Sequence, residues 1–153
     1  MQKPSVDIVQ IEQLPLADLQ PLLEESRQQG FEFLDRLVEE YLGDVNQFTQ
    51  PGEALFGVYS GQHMIAIGGL NRDPYLQEED TGRVRHVYVL ASWRGRGVGK
   101  QLVERIIDEA RLHYRLLTLR TLTEPASKFY CAIGFQTEPE ISDATHHLIL
   151  KEG

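Results

Sequence analysis

A single cysteine in 153 residues has nothing to pair with, so no disulfide framework is available and the chain suits a reducing compartment. No apolar run approaches the length of a membrane span, and the opening M-Q-K-P-S-V-D carries no signal-peptide core. A cytoplasmic protein with no membrane partner is therefore expected. Basic charge is also scarce: 15 Lys and Arg stand against 23 Asp and Glu, and the net charge of −8 argues against non-specific nucleic-acid binding. Repeats, low-complexity tracts and linkers are absent, so one domain over residues 1–153 is expected. No metal is expected either, because His146 and His147 are adjacent on an expected strand and point to opposite faces. The apolar fraction of 41% is ordinary for a globular chain long enough to bury a core.

What is present concentrates between Val87 and Lys100, V-Y-V-L-A-S-W-R-G-R-G-V-G-K. A β-branched strand passes through a turn into a glycine- and arginine-rich loop, and the loop opens into an amphipathic helix. Val98, Leu102, Val103, Ile106, Ile107, Ala110 and Tyr114 follow the three- and four-residue spacing of one buried face. The first turn of such a helix has backbone N–H groups without intrahelical partners and a partial positive charge, which suits an anion. Gly95, Gly97 and Gly99 let a phosphate approach the backbone, and Arg94, Arg96 and Lys100 add charge at the same point. With Arg83 and Arg85 they form one basic site in an acidic protein, which fits a polyanionic cofactor. Two familiar phosphate loops fail here. Gln101 follows Lys100 where a P-loop needs Ser or Thr, and the glycine spacing is not G-x-G-x-x-G.

Alternation and capping signals predict the remaining elements. Val6–Ile11 is a strand, residues 14–29 a helix ending at Gly30 with Pro21 at its start or at a kink, and residues 31–42 a second helix closed by Gly43. Residues 54–59 and 64–70 are strands joined by the hairpin signal Ser60-Gly61-Gln62-His63. Residues 71–82 are a polar loop that includes the solvated acidic run Glu78-Glu79-Asp80. Strands at 83–90, 116–121 and 146–150 and a short helix at 124–131 complete the chain.

Arg94, Gly97 and Gly99, behind a strand ending in Val89, match the Gln/Arg-x-x-Gly-x-Gly/Ala pyrophosphate loop of the GCN5-related N-acetyltransferases, the GNAT superfamily, which this chain resembles. A second match lies downstream, where Ala126, Phe129, Tyr130, Gly134 and Phe135 fit the superfamily pattern Asn-x-x-Ala-x-x-Phe/Leu-Tyr-x-x-x-Gly-Phe. Thr123 stands in place of the asparagine. The order β-α-α-β-β-β-α-β-α-β is also that of the superfamily. The resemblance implies an α/β fold, a central, twisted, mostly antiparallel sheet with helices on both faces, in which the strand before the loop and the strand after the long helix splay apart to admit the coenzyme.

For function, the resemblance implies an N-acetyltransferase that moves acetyl from acetyl-CoA to a primary amine by direct attack in a ternary complex and releases coenzyme A. Coenzyme binding would fall to the backbone of Val87, Tyr88 and Val89 and to Arg94, Gly95, Arg96, Gly97, Val98, Gly99 and Lys100. Tyr130 would protonate the departing thiolate, which suits a phenol whose reference pKa is comparable to that of a thiol. No carboxylate sits on the strand R-V-R-H-V-Y-V, where many relatives keep a base, so His86 is the first candidate, on the same face as Val84 and Tyr88 if the strand alternates. A packed histidine is an equal reading. Glu53, Asp73, His146 and His147 are weaker candidates for the base, and water could serve if the amine arrives partly deprotonated. Cys131 lacks the paired base a nucleophile needs and reads as a small buried hydrophobe. The acceptor is a small-molecule or peptide amine, and a homodimer would be in keeping with relatives. Two other classes stay open: a non-catalytic acyl-CoA-binding or sensing module, and a nucleic-acid module using Arg94 and Arg96, which the overall acidity disfavours.

Overall fold

The computed structural model describes residues 5–76 and 80–151, so the first four residues, Gln77, Glu78, Glu79 and the last two residues lie outside it. The elements in order are β1 (Asp7–Gln10), α1 (Leu16–Gln28), α2 (Phe33–Leu42), β2 (Ala54–Ser60), β3 (His63–Arg72), β4 (Thr81–Val89), α3 (Val98–Arg111), β5 (Leu116–Leu119), α4 (Glu124–Ile133) and β6 (His146–Ile149). This is the predicted order. The six strands form one sheet in sequence order, antiparallel throughout except for the parallel β4–β5 pair.

The two faces carry separate cores. On one side the stripe of α3 packs with Phe56, Ile65, Leu70, Val84, Leu117 and Leu119, and α4 joins it through Tyr130 and Phe129. On the other, α1 and α2 lay Leu19, Leu22, Leu34 and Leu37 over Leu55, Met64, Ile67 and Tyr88. The sequence stripe extends past the end of α3 to Tyr114, which folds back, is buried, and donates its hydroxyl to Gly52 O at 2.7 Å. Pro21 lies inside α1, and Gly30 follows the helix at φ +82°.

Two expectations need correction. The loop predicted over 71–82 is shorter, because Asn71 pairs with Arg83 and Arg72 with Gly82 as the last rungs of the β3–β4 ladder. Polar side chains at that strand end hid it; Asn71 is buried, bonded to Asn46 and Glu53. Strand alternation also fails within β4. Ile67 pairs with Tyr88 but Gly69 with Arg85, so Gly68 stands opposite both His86 and Val87, and His86 adopts φ +60°. This bulge leaves Val84, Val87 and Val89 on the α3 side and places His86 and Tyr88 toward α1 and α2.

Candidate active site

β4 and β5 are paired only through Thr81–Leu116, Gly82–Leu117 and Arg83–Thr118. Beyond those three rungs the strands part. No strand pairs with Val84–Val89 on that side among the described residues, so a row of backbone N–H and C=O groups faces a cleft. The base of the cleft is fixed by a buried cluster: Asp73 accepts from Thr118 Oγ1 at 2.5 Å and from the amides of Tyr75 and Leu76, and Arg83 lies 3.5 Å from it.

The glycine loop stands at the open end. A 3-10 turn at Ala91–Trp93 leads to Gly95 at φ +73° and Gly97 at φ +85°, left-handed values that disfavour a side chain. Gly97 is the N-cap of α3 and offers no side-chain cap, so the first-turn amides of Val98, Gly99 and Lys100 are left for another acceptor. A Cβ on Gly97 would meet nothing within 4 Å, whereas one on Gly99 would lie 3.2 Å from Phe129 and 3.4 Å from Val89. Gly97 thus keeps a turn open toward solvent, while Gly99 lets α3 approach α4 and β4. Val98 is fully buried and can contribute only its backbone.

The three cations divide. Lys100 is exposed, and Arg96 stacks over Trp93 at 4.0 Å. Arg94, although exposed, is engaged by its own chain: Nε donates to Val89 O at 2.9 Å, a terminal nitrogen donates to Gln29 Oε1 at 3.1 Å, and the guanidinium lies over the Tyr88 ring. Glu25, also from α1, accepts from the Tyr88 hydroxyl at 2.5 Å and from Ala91 N at 2.9 Å. Burial and that carboxylate push the Tyr88 hydroxyl up to about 12. Neither Glu25 nor Gln29 was marked by a motif. Both act on residues more than fifty positions away, and local sequence carries no signal for that.

α4 borders the cleft from the α3 side. Thr123 is its N-cap, accepting from Ala126 N, so the residue in the asparagine position helps to start this helix. Tyr130 is buried, edge-on to Phe129 and Phe135, and burial pushes its hydroxyl above the usual phenol range. It therefore keeps its proton at neutral pH. One turn earlier, Ser127 Oγ meets His146 Nε2 at 2.9 Å, and His146 Nδ1 meets Thr145 Oγ1 at 2.8 Å. This chain ties α4 to β6; burial and neighbouring His147 lower the pKa of His146. Cys131, expected inside, is exposed.

His86 lies beneath α2 with its Nδ1 3.1 Å from Phe33 O. A carbonyl can only accept, so Nδ1 carries the proton, and Nε2 is a buried acceptor without a partner among the described residues. Burial first, then Arg85, lowers its pKa to about 3. Of the weaker candidates, Glu53 accepts from Asn71 and Asp73 is held in its buried cluster. Among the described residues no group of His, Cys, Asp and Glu could hold a metal ion, and no helix is long and apolar enough to cross a membrane.

Known proteins resemble this chain in sequence and in fold. The profile of the "Acetyltransferase (GNAT) family" matches residues 16–135. The N-alpha-acetyltransferase RimI of Mycobacterium tuberculosis strain H37Rv is 29% identical over 93 residues, which are 59% of this chain and 56% of that protein's length. A crystal structure from Exiguobacterium sp. 255-15, provisionally assigned as an acetyltransferase, superposes with a TM-score of 0.84 at 34% identity, covering 95% of this chain and 94% of that one. At 18% identity, AAC(6')-Iy, crystallised with the bisubstrate analogue CoA-S-monomethyl-acetylneamine, shares the fold with a TM-score of 0.67 over 90% of this chain and 95% of its own.

Proposed function

This chain belongs to the acetyltransferase (GNAT) family, acyl-CoA-dependent N-acyltransferases, and from that premise we propose that it transfers acetyl from acetyl-CoA to a primary amine by direct attack. The observation that carries the reading is the cleft itself. Its unpaired β4 edge lies between a glycine-lined, uncapped helix start and a protonated, buried tyrosine. The pyrophosphate would accept hydrogen bonds from the amides around Gly95–Gly99, with Arg96 and Lys100 supplying charge. The pantetheine arm would pair with Val87–Val89 like an added strand, and an amide there would support the carbonyl oxygen as it gains charge. The amine lone pair then forms the new C–N bond, the C–S bond breaks, and the sulfur takes the Tyr130 proton, which solvent restores.

The base is read differently from the sequence. A buried imidazole whose pKa falls to about 3 and whose proton is held by Phe33 O is a poor proton acceptor for an amine. We assign the ammonium proton to water and give His86 a packing role at the bulge. The names of the similar proteins support both peptide α-amines and small-molecule amines as acceptors. We propose the cytoplasm as the compartment, where an exposed thiol such as Cys131 would stay reduced.

Calorimetric titration with acetyl-CoA, CoA and ATP tests the reading. Micromolar binding of the two CoA species without ATP, followed by thiol release with one member of an amine panel, is the expected result. Absence of binding to either CoA species overturns it, and binding without turnover on any amine would favour an acyl-CoA sensor. Tyr130→Phe should lower turnover about a hundredfold while sparing coenzyme affinity. A loss of affinity with turnover per bound enzyme intact would move Tyr130 from chemistry to binding.

A further inference from the structure

We propose that Glu25 is a positioning residue for coenzyme binding, holding the glycine loop from α1 through Tyr88, Ala91 and Arg94. This rests on the reading that the loop receives the pyrophosphate of acetyl-CoA. One carboxylate oxygen, Glu25 Oε2, accepts from the Tyr88 hydroxyl at 2.5 Å and from the Ala91 amide at 2.9 Å, and Arg94 approaches it to 3.9 Å. Arg94 in turn closes onto Val89 O and Gln29 Oε1. The end of β4, the start of the 3-10 turn and the residue before Gly95 are therefore all tied to the last turns of one helix.

The physical argument concerns order before binding. A segment containing Gly95 and Gly97 has more backbone freedom to lose than one without glycine, and a loop already held in its binding shape avoids that cost when the ligand arrives. The same contacts explain why Arg94, the motif's own cation, does not point its charge at the helix start. Its guanidinium offsets Glu25 and braces the loop, which leaves Arg96 and Lys100 to meet phosphate. Among the described residues Glu25 has no ion pair besides Arg94, so each of its partners can be removed in turn.

Glu25→Ala, Glu25→Gln, Tyr88→Phe and Arg94→Ala, with the double variant of Glu25 and Arg94, separate this role from a merely structural contact. Glu25→Ala is expected to raise the Kd for CoA and the KM for acetyl-CoA at least tenfold, with kcat at saturating acetyl-CoA within threefold of wild type. Glu25→Gln, whose amide oxygen still accepts from Ala91 and Tyr88, should recover most of the loss. Arg94→Ala in the Glu25→Ala background should add little, as expected for residues that act as a unit. Without coenzyme, the Ala91 amide should exchange its hydrogen faster in Glu25→Ala than in wild type. Unchanged CoA affinity in Glu25→Ala, or additive losses in the double variant, overturns the proposal. Wild-type protein that fails to bind CoA overturns the functional reading instead, and unchanged Ala91 exchange then still rejects the clamp. If Glu25→Ala does not fold, Tyr88→Phe and Arg94→Ala carry the same comparison: unaltered Kd and unaltered Ala91 exchange in both would reject it.

Discussion

On the α3 side of the sheet, Val98, Leu102, Val103 and Ile106 are fully buried against Phe56, Ile65 and Leu117, an interface made almost wholly of apolar contact. On the α1–α2 side the apolar cluster is threaded with polar ties: Tyr88 to Glu25, His86 to Phe33 O, Arg85 to Glu40, and Asn71 to Glu53 and Asn46. The first face fixes where the glycine loop ends and α3 begins. The second fixes the shape of the loop and of the bulged strand. Packing gives the site its place, and directional bonds give it its geometry.

That contrast can be broken by measurement. Ile106→Ala, which removes a fully buried side chain against Gly68, should cost about 2–5 kcal/mol in denaturant unfolding. Tyr88→Phe, its counterpart on the other face, should cost only about 1 kcal/mol. Equal losses would mean the polar side is as much a packing interface as the apolar one.

A second test uses pH. The folded His86 pKa of about 3 is below the unfolded value, so between pH 6.5 and about 3 the unfolded chain binds a proton that the folded chain refuses. The His86 contribution is complete above pH 6.5 and is lost as pH falls, with a slope of up to about 1.4 kcal/mol per unit. His86→Asn, which tolerates the left-handed backbone, should flatten the decline measured between pH 7 and pH 5. A near-neutral inflection in kcat/KM that disappears in this variant would restore His86 as the base.

Similar in stability cost to Tyr88→Phe is Gly97→Ala. Its space is open, so only the φ of +85° resists, at about 1–2 kcal/mol. Coenzyme affinity should fall further than stability, since the added methyl would stand where the proposed site receives phosphate, and a bulkier residue should abolish binding. If affinity and stability fall together, the glycine serves the turn alone.

The same contrast decides what could be read from the chain. The α3 stripe, the Gly61 hairpin and the loop-to-helix junction are local patterns, and each stands where periodicity placed it. Thr123 likewise sits where an N-cap is chemically apt. What could not be read depends on distant partners. The bulge at His86 arises from the register of β3 against β4 and shifts which side chains share a face. The turning of Arg94 depends on Gln29 and Glu25, and no spacing rule links residues that far apart. Cys131 was misplaced because one turn of a short helix beside a phenylalanine–tyrosine pair does not reveal which side meets solvent.

The parting of β4 from β5 has a consequence for the protein's life before it meets coenzyme. Sheets ordinarily leave backbone unpaired along their outer strands, and proteins guard those rims with charge, bulges or brevity. Here, among the described residues, the stretch from Val84 to Val89 lies within the sheet with no strand paired on its β5 side, and its residues are rich in valine. A coenzyme that pairs with it would act as a resident chaperone as well as a reactant, protecting the folded chain in proportion to its concentration over its dissociation constant. Cells or preparations poor in acyl-CoA should then hold the form most open to a foreign strand, and aggregation of the purified protein should slow as CoA is added.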